Sequence, residues 1–581
     1  METGTVGVWD YVIFGVILLW SLAIGVYYGC FGSRQKSTKE YLMASRSMPA
    51  WPVAVSMVCS AVSAITLLAN PVEVYLYGTG YSMVMLAFIP FNLSLAYLYY
   101  PVYFNLNVNS AYQFIEIRFN HSIRLVVSIL AVIHVITSMA IAIYAPSLAI
   151  KQLTGIDTKV STAVIYFVCI AYSSLGGLRG VLWTDVLQTT VMLVSLAVIS
   201  IKGVLDVGGI DLVWERAKNG NRIEFLNFDP DPRTRHTFFT CLIAGYFFWL
   251  PSFAATQLQV QRVLSMPTIS RVRKALLMNF IGLLIIVGFC FFTGVVVYAM
   301  FYDCDPITSQ LVEKSDQIVP LFASRVSNGI PGILGLFISS LTCASMTSLS
   351  SGLNALASIT TFDYVQKLYP NLNDFKLSLI SKINTLVLGM VSYAFVFAVE
   401  NMGSILPATS SLLGIMLGPT LGIFSLGMMF PWANAKGSLL GMITTFILMI
   451  TFIIGNLLAD GLPDQRLTLD TSGCPAQNVT MIPVISSTSW KDVEYSGITK
   501  LLSVSYMWFS AMGCILCVFF GLVFSLVINY LDKGPRKLVN PKCISPPIMT
   551  LLNKWFPKHI QQWVDLSVPE VENRILHQAQ E

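Results

Sequence analysis

The sequence has 581 residues, of which 55% are hydrophobic and only 11% are charged. Soluble domains carry roughly 25% charged residues, so this chain has too little charge to cover a soluble surface of its length. The formal charge of +5 is modest and lies between the apolar runs, which gives no indication of a nucleic-acid partner. Composition therefore predicts an all-α protein that crosses a lipid bilayer many times.

Apolar runs of about 20 residues recur along the chain, and each is long enough for one helix to cross a hydrocarbon core of roughly 30 Å. The segment before the first run, METGTVGVWD, lacks the basic region of a cleaved signal peptide, so the first helix is expected to be a permanent span. About thirteen spans are predicted, near residues 9–30, 50–75, 80–104, 123–150, 159–177, 181–207, 237–256, 274–300, 331–362, 380–400, 404–430, 434–458 and 501–530.

Lysine and arginine residues concentrate in alternate loops, beginning with the first loop and ending with the C-terminal tail. Because basic loops face the cytoplasm, this parity predicts an orientation in the plasma membrane. The predicted parts are an extracellular N-terminus (1–8), a transmembrane domain (9–530), an extracellular loop (459–500) and a cytoplasmic tail (531–581). Asn478 begins an Asn-Val-Thr sequon in the outer loop and is a predicted glycosylation site.

Eleven cysteines are scattered along the chain, mostly within apolar runs. Cys304 and Cys474 fall in polar loops on the predicted outer side, where a disulfide and two free thiols are both open alternatives. The five histidines are far apart in the sequence, with no His-x-x-x-His, and no phosphate-binding loop is present. The sequence therefore gives no indication of an enzyme, and the polar residues inside the spans are the better guide to function.

Two of the predicted spans are polar and interrupted by proline: the second, at Asn70-Pro71, and the seventh, at Pro251. A broken helix in mid-membrane exposes carbonyls and helix termini that suit a cation beside an anionic substrate. A serine-rich packing helix with a proline kink is the alternative. Because the two spans lie five helices apart, they predict an inverted five-helix repeat with halves at approximately 50–207 and 237–430.

The ninth span carries a cluster of polar residues between Met346 and Asp363. Thr347, Ser351 and Asn354 share one helical face, and Ser348 lies beside them. Hydroxyl oxygens are ligands that a hard cation prefers. Hydroxyls in membrane helices also bond to their own backbone or allow close helix packing, and this second interpretation remains open.

The segment YSSLGGLRGVLWTDVLQ, residues 172–188, resembles the signature of the sodium/solute symporter family, and the resemblance extends over roughly residues 9–530. The segments WDYVIFG, PVEVYLYG, IYAPSLA, RHTFFT, DCDP and QVQR are similar to the branch of multivitamin, monocarboxylate and iodide symporters. The resemblance implies an inverted repeat with extra helices at each end, and sodium as the coupling ion.

The resemblance also implies a set of site residues. A sodium site is expected where the second and ninth spans meet, held by the carbonyls of Cys59, Val62 and Ala344 and the hydroxyls of Thr347 and Ser348. Asp185 matches an acid thought to help sodium leave inward, although an ordinary interfacial carboxylate is the alternative. The residues expected around the substrate are Ser63, Thr66, Trp249, Phe253, Thr256, Gln257, Ser351 and Asn354. Among these, Ser63, Gln257 and Ser351 are also candidates for a second sodium site.

These features predict a sodium-coupled symporter that imports a small organic anion, such as a monocarboxylate or a vitamin. Thr66 stands where sugar carriers and the iodide carrier have glutamine, and Thr256 replaces the usual asparagine, so iodide, choline and polyol carriers remain alternatives. A sugar is disfavoured, because the eighth span has no lysine and the eleventh no matching glutamine. A non-transporting solute sensor of the same fold is a second hypothesis. A channel fits less well, since no charged ring or carbonyl-filter motif is visible.

Overall fold

The computed structural model describes residues 6–31, 37–399, 411, 413–458, 465–474, 497, 502–532 and 538–566. Within these residues nine helices are long and apolar enough to cross a membrane, and two bent pairs of helices raise the number to eleven. The predicted polytopic, all-helical class is confirmed. The count of about thirteen spans stays a prediction. Asn478 lies outside the described residues.

The apolar helices are numbered in chain order. They are α1 (Val8–Phe31), α2 (Ala50–Ala61), α3 (Ala64–Tyr77), α4 (Thr79–Leu106), α5 (His121–Thr154), α6 (Thr158–Val207), α7 (Thr240–Ala254), α8 (Gln257–Leu264), α9 (Ile269–Met300), α10 (Ile333–Leu368), α11 (Asp374–Ala398), α12 (Gly414–Met429), α13 (Ala435–Asn456) and α14 (Tyr506–Leu531). Shorter helices lie between or after them, at Thr38–Met43, Ala111–Arg118, Ile210–Asn219, Ile318–Val326 and Pro546–Trp555.

Two bent pairs, α2–α3 and α7–α8, interrupt the fold, and each bends by 59°. The first break falls at Val62 and Ser63, which are both extended, and not at Asn70-Pro71, where the sequence had placed it. Pro71 lies inside α3, because a proline removes only one helical hydrogen bond and a helix tolerates that loss in a packed bundle. Pro251 likewise lies inside α7, several residues before the second break.

A further break lies inside α6. Gly177 has φ 55° and ψ −161°, a conformation that residues with a Cβ rarely adopt, so glycine is required at this turn. The predicted fifth and sixth spans, 159–177 and 181–207, meet at this residue.

The most enclosed helix is α10, which packs against α1, α5 and α6. The hydroxyl of Ser345 on α10 donates to the carbonyl of Ala142 on α5 at 2.8 Å. Small residues allow equally close contact between α1 and α6: a Cβ on Gly25 would lie 2.3 Å from the Cβ of Tyr172. α10 and α5, and likewise α1 and α6, therefore approach each other closely enough for contacts with the backbone.

Cys304 and Cys474, for which the sequence left two alternatives, form a disulfide across 170 residues of chain. A crosslink that closes so long a loop restricts the unfolded chain and is typically worth about 2–4 kcal/mol. The double variant C304S/C474S is expected to melt at a lower temperature than wild type. Reductant should lower the melting temperature of wild type toward that of the variant and leave the variant unchanged. Equal melting temperatures in all four samples would contradict a stabilising crosslink.

Candidate sodium and substrate site

The first helix break exposes a carbonyl that α10 contacts. In a continuous helix the carbonyl of Cys59 would accept from the amide of Ser63, but α2 ends at Ala61. The hydroxyl of Thr347 donates instead, with its Oγ1 3.0 Å from the Cys59 oxygen and 2.9 Å from the Ala344 oxygen. The Oγ of Ser348 lies 3.3 Å from the same Ala344 oxygen. Both hydroxyls bond to the backbone of their own helix and Thr347 also bonds across to α2, as the packing interpretation expects, while their role as cation ligands stays a prediction.

These four oxygen atoms, together with the extended backbone of Val62 beside them, form a cluster of neutral oxygen donors that we call the oxygen cluster. Thr347 is fully buried. Hydroxyl and carbonyl oxygens are suitable ligands for a hard monovalent cation, which needs less ligand charge than a divalent ion. Across the described part of the chain, no group of three His, Cys, Asp or Glu side chains is placed to hold a metal ion. The chemistry of the oxygen cluster therefore fits an alkali cation.

A cavity of about 210 Å³ lies between the two helix breaks. Its walls come from α2, α3, α4, α5, α7, α8 and α10. The lining residues are Ser60, Ala61, Ser63, Ile65, Thr66, Asn70, Tyr81, His134, Val135, Ser138, Met139, Ile141, Ala142, Phe248, Trp249, Ser252, Phe253, Thr256, Leu258, Gln259 and Ser348. No Asp, Glu, Lys or Arg is among them.

The structure brings five of the predicted substrate residues to this cavity: Ser63, Thr66, Trp249, Phe253 and Thr256. Ser348 also lines it, so the oxygen cluster and the cavity share a wall. A cation in the oxygen cluster would thus adjoin a solute in the cavity.

Three other predicted residues do not line the cavity, and each has partners elsewhere. Gln257 accepts from the amide of Ala111 at 2.8 Å and donates to the hydroxyl of Ser358 at 2.8 Å. Ser351 donates to the Thr347 carbonyl and accepts from an arginine on α8. Asn354 donates to the Ser350 carbonyl at 3.1 Å. In this conformation Gln257 and Ser351 join neighbouring helices, whereas Asn354 bonds to its own helix, α10.

The second break is satisfied differently from the first. The carbonyls of Phe253 and Ala254, at the end of α7, accept from the hydroxyls of Tyr100 and Tyr103 on α4 at 3.2 and 2.6 Å. Backbone groups freed inside a membrane need such internal partners. A threonine hydroxyl binds the freed carbonyl at the first break, and tyrosine hydroxyls bind the freed carbonyls at the second. The oxygen cluster lies at the first break.

Asp185 on α6 belongs to a buried polar network with Arg262 on α8. The two residues are 0% and 1% exposed, and the Arg262 Nη2 lies 3.2 Å from the Asp185 Oδ2. Ser56 on α2 bridges them, because it donates to Asp185 at 2.5 Å and accepts from the Arg262 Nε at 2.6 Å. Ser351 on α10 also accepts from Arg262. The network links α2 and α8 to α6 and α10. Asp185 is therefore buried and ion-paired in this structure, and its role in sodium exit stays a prediction.

A second ionic group, the Glu73 cluster, lies one turn beyond Asn70 on α3 and adjoins the cavity through Tyr81. The Arg235 side chain binds the Glu73 carboxylate through its Nε at 2.5 Å and its Nη2 at 3.1 Å. The His236 Nε2 is 3.1 Å from the same carboxylate, and the Tyr506 hydroxyl donates to it at 3.4 Å. Tyr81, which lines the cavity, stacks on His236 with ring centroids 4.8 Å apart.

Charge within the Glu73 cluster follows from burial and neighbours. Burial lowers the pKa of His236 in spite of the opposing Glu73 carboxylate, which favours a neutral imidazole. Burial also acts against the charge of Arg235, but the Glu73 carboxylate outweighs it and raises the pKa of the guanidinium. The cluster is therefore an arginine–glutamate ion pair flanked by neutral rings.

Several cavity residues were not found from the sequence: Asn70, Tyr81, His134, Ser138 and Gln259. For two of them a signal existed. His134 and Ser138 are one turn apart on an otherwise apolar span, and polar side chains in that setting usually face a cavity. The wide separation of the five histidines along the sequence argues only against a shared metal site and leaves a role for a single histidine open.

Residues 41–445 match the sequence profile of the Sodium:solute symporter family. The chain belongs to this family. It is 36% identical to mouse sodium-coupled monocarboxylate transporter 1, over 92% of this chain and 89% of that protein. It is 35% identical to human sodium-coupled monocarboxylate transporter 2, over 96% of this chain and 90% of that protein. It is 34% identical to a putative sodium-dependent multivitamin transporter of Drosophila melanogaster, over 98% and 92%.

Solved structures of this symporter's fold include a substrate-bound, outward-open Na⁺-coupled sialic acid symporter. That structure has a TM-score of 0.72 and 24% identity, and the match covers 90% of this chain and 98% of the other. Mhp1, a nucleobase-cation-symport-1 family transporter in a closed conformation, has a TM-score of 0.50 and 10% identity, with coverage of 86% and 96%. The relatives and structural neighbours are transporters rather than enzymes, which confirms the predicted family, fold and class, with sodium as the coupling ion.

Proposed function

We propose that this symporter carries a small organic monoanion, a monocarboxylate or a carboxylate-bearing vitamin, into the cell together with sodium. The supporting observation is the shared wall between the oxygen cluster and a cavity without a fixed charge. An anion in a low-dielectric cavity needs a counter-charge, and a bound sodium beside Ser348 would supply it. The named functions of the monocarboxylate and multivitamin relatives agree with this proposal.

Sodium would couple to the solute by fixing the first helix break. Ligands on both sides of the break and on α10 belong to the oxygen cluster, so an ion bound there would hold α2 and α3 against α10 and order Ser63 and Thr66. The coupling is a binding free energy shared by two sites. Release inward would then require α2 and α8 to separate from Asp185 on α6, which supports a role for Asp185 on the sodium exit path.

The stoichiometry decides how far the solute accumulates. One charge crossing 100 mV is worth about 2.3 kcal/mol, and one sodium with a monoanion carries no net charge and gains only the chemical gradient. A second sodium would raise accumulation from about tenfold to about a thousandfold. Of the three candidates for that second site, only Ser63 lines the cavity. Electrogenic uptake of a monoanion would nevertheless require more than one sodium.

The proposed orientation in the plasma membrane places the N-terminus (1–8) and the loop 459–500 outside, and the tail 531–581 inside. The halves 50–207 and 237–430 each begin with a broken span, which supports an inverted repeat. Glycosidase treatment should shift the mobility of wild type but not of N478Q. An unshifted wild type, with the loop inaccessible to an external antibody, would reverse the orientation.

Uptake into membrane vesicles tests the function directly. Radiolabelled lactate, pyruvate, pantothenate and biotin are offered with an inward sodium gradient, and sodium is then replaced by choline. At least one of these anions is expected to accumulate only with sodium, and iodide, choline and glucose are expected not to compete. Sodium-dependent binding without accumulation would instead indicate a sensor. Preferred uptake of a neutral or cationic solute would overturn the anion proposal.

A further inference from the structure

We infer that the imidazole of His134 on α5, beside the N-terminus of α8, binds the carboxylate of the transported solute. The inference rests on the proposed function and names the specificity-determining group within it. His134 lines the cavity and is 8% exposed. The oxygen cluster reaches the cavity through a different helix, α10, so the solute would meet the cation and the imidazole from separate walls.

The ring of His134 has hydrogen-bonding capacity left over. The hydroxyl of Ser138, one turn along α5, is its hydrogen-bond partner. The Ser138 Oγ lies 3.4 Å from both Nδ1 and Nε2 of the ring. One hydroxyl cannot satisfy two ring nitrogens, and 3.4 Å is long for a hydrogen bond. A neutral imidazole carries one N–H donor, which a carboxylate oxygen in the cavity can accept.

The N-terminus of α8 adds a second group of donors near this ring. Thr256 precedes α8, but its side chain does not cap the helix, because its hydroxyl donates to the Ser252 carbonyl. Leu258 and Gln259, the second and third residues of α8, line the cavity, and the first turn holds no acidic side chain. Thr256 and His134 also line one small adjoining pocket of about 10 Å³, so the imidazole lies close to this helix end.

The absence of competing charges makes the pair selective for an anion. Among the residues that the structure describes, no Asp, Glu, Lys or Arg lines the cavity or the adjoining pocket, where the other titratable groups are Tyr81 and Tyr112. An N–H donor and the positive end of a helix dipole both favour a carboxylate and disfavour a cation. A neutral amide of the same shape gains much less, because hydrogen bonds to a charged acceptor are roughly twice as strong.

The test compares lactate with lactamide, its neutral isostere, as competitors of radiolabelled lactate on the full-length protein in lipid nanodiscs with saturating sodium. His134→Leu removes the donor, and His134→Asn shortens the side chain that carries it. Both variants are expected to bind lactate at least tenfold more weakly than wild type, whereas their affinity for lactamide should stay within about twofold of the wild-type value. His134→Gln keeps an N–H donor at similar reach and should retain most of the lactate affinity. Thr137→Ala is the matched control: Thr137 lies on the same helix but does not line the cavity, and its hydroxyl bonds only to backbone carbonyls of its own helix.

Sodium-induced thermal stabilisation, measured without solute, shows that each variant is folded and keeps its cation site. If leucine at position 134 impairs folding, the asparagine variant supplies the same comparison. Wild-type lactate affinity in a folded His134→Leu or His134→Asn variant would overturn the role of His134 and leave the proposed function standing. If wild type binds none of lactate, pyruvate, pantothenate and biotin in sodium, the proposed function fails and this inference fails with it.

Discussion

Replacing Thr347 and Ser348 together with alanine is expected to abolish sodium-dependent uptake while the protein still reaches the membrane. The two substitutions remove both side-chain oxygens of the oxygen cluster and the hydroxyl that holds the Cys59 carbonyl at the first break. Two backbone carbonyls and Val62 would remain, which is too few ligands for a hard cation. We expect less than a tenth of wild-type uptake, measured as the difference between sodium and choline gradients.

The matched control is Thr342→Ala, one turn or more earlier on α10. Its hydroxyl donates only to the Ile338 carbonyl of its own helix at 3.0 Å. This variant should keep wild-type uptake and a wild-type concentration for half-maximal sodium activation. Retention of sodium-dependent uptake in the double variant, at equal surface expression, would show that the coupling ion binds elsewhere.

Separating the charges of Asp185 and Arg262 is expected to destabilise the protein strongly. Removing one partner of a buried ion pair leaves the other charge without compensation and costs about 3–5 kcal/mol. Asp185→Asn and Arg262→Met should each lower the melting temperature and the transport rate. The double variant should melt closer to wild type than either single variant, since no unpaired charge remains.

An exposed ion pair on the same helix provides the control. Lys202 and Asp206 pair across one turn at the surface of α6, where such pairs contribute about 0–1 kcal/mol. Asp206→Asn should therefore change neither stability nor transport. Additive losses in the Asp185 and Arg262 variants would mean that the two residues act independently. A role for Asp185 in sodium exit further requires that a folded Asp185→Asn variant keeps its sodium affinity but turns over more slowly.

The helical class and the residues around the first helix break could be predicted from the sequence, because membrane-spanning helices have long apolar runs in which polar residues stand out. Polar side chains such as Ser63, Thr66 and Thr347 are costly in lipid, so their presence in apolar spans indicates a cavity or a partner. Family resemblance supplied the pairing of the second and ninth spans. The break itself was misplaced at Pro71, because a single missing hydrogen bond does not interrupt a well-packed helix.

The placement of Gln257, Ser351 and Asn354 depends on how the helices cross, which the sequence does not encode locally. Helical spacing puts Ser351 and Asn354 on the face of Thr347. However, α10 meets the cavity over a single turn at Ser348, and its next turn meets Arg262. His134 carries a local signal, its spacing to Ser138 on an apolar span, but its position near the N-terminus of α8 appears only in the folded structure.

The Glu73 cluster has a consequence for leakage. α3 carries Thr66 and Asn70, which line the cavity, and one turn further on it carries Glu73, which is bound to Arg235. A tilt of α3 that admits solute from that side must pull this carboxylate away from its guanidinium, and an unpaired buried charge is costly. The protein without ligands would then favour the conformation in which the Glu73–Arg235 pair is intact. Because α3 also lines the cavity, the same helix would suppress passage of solute without its ion.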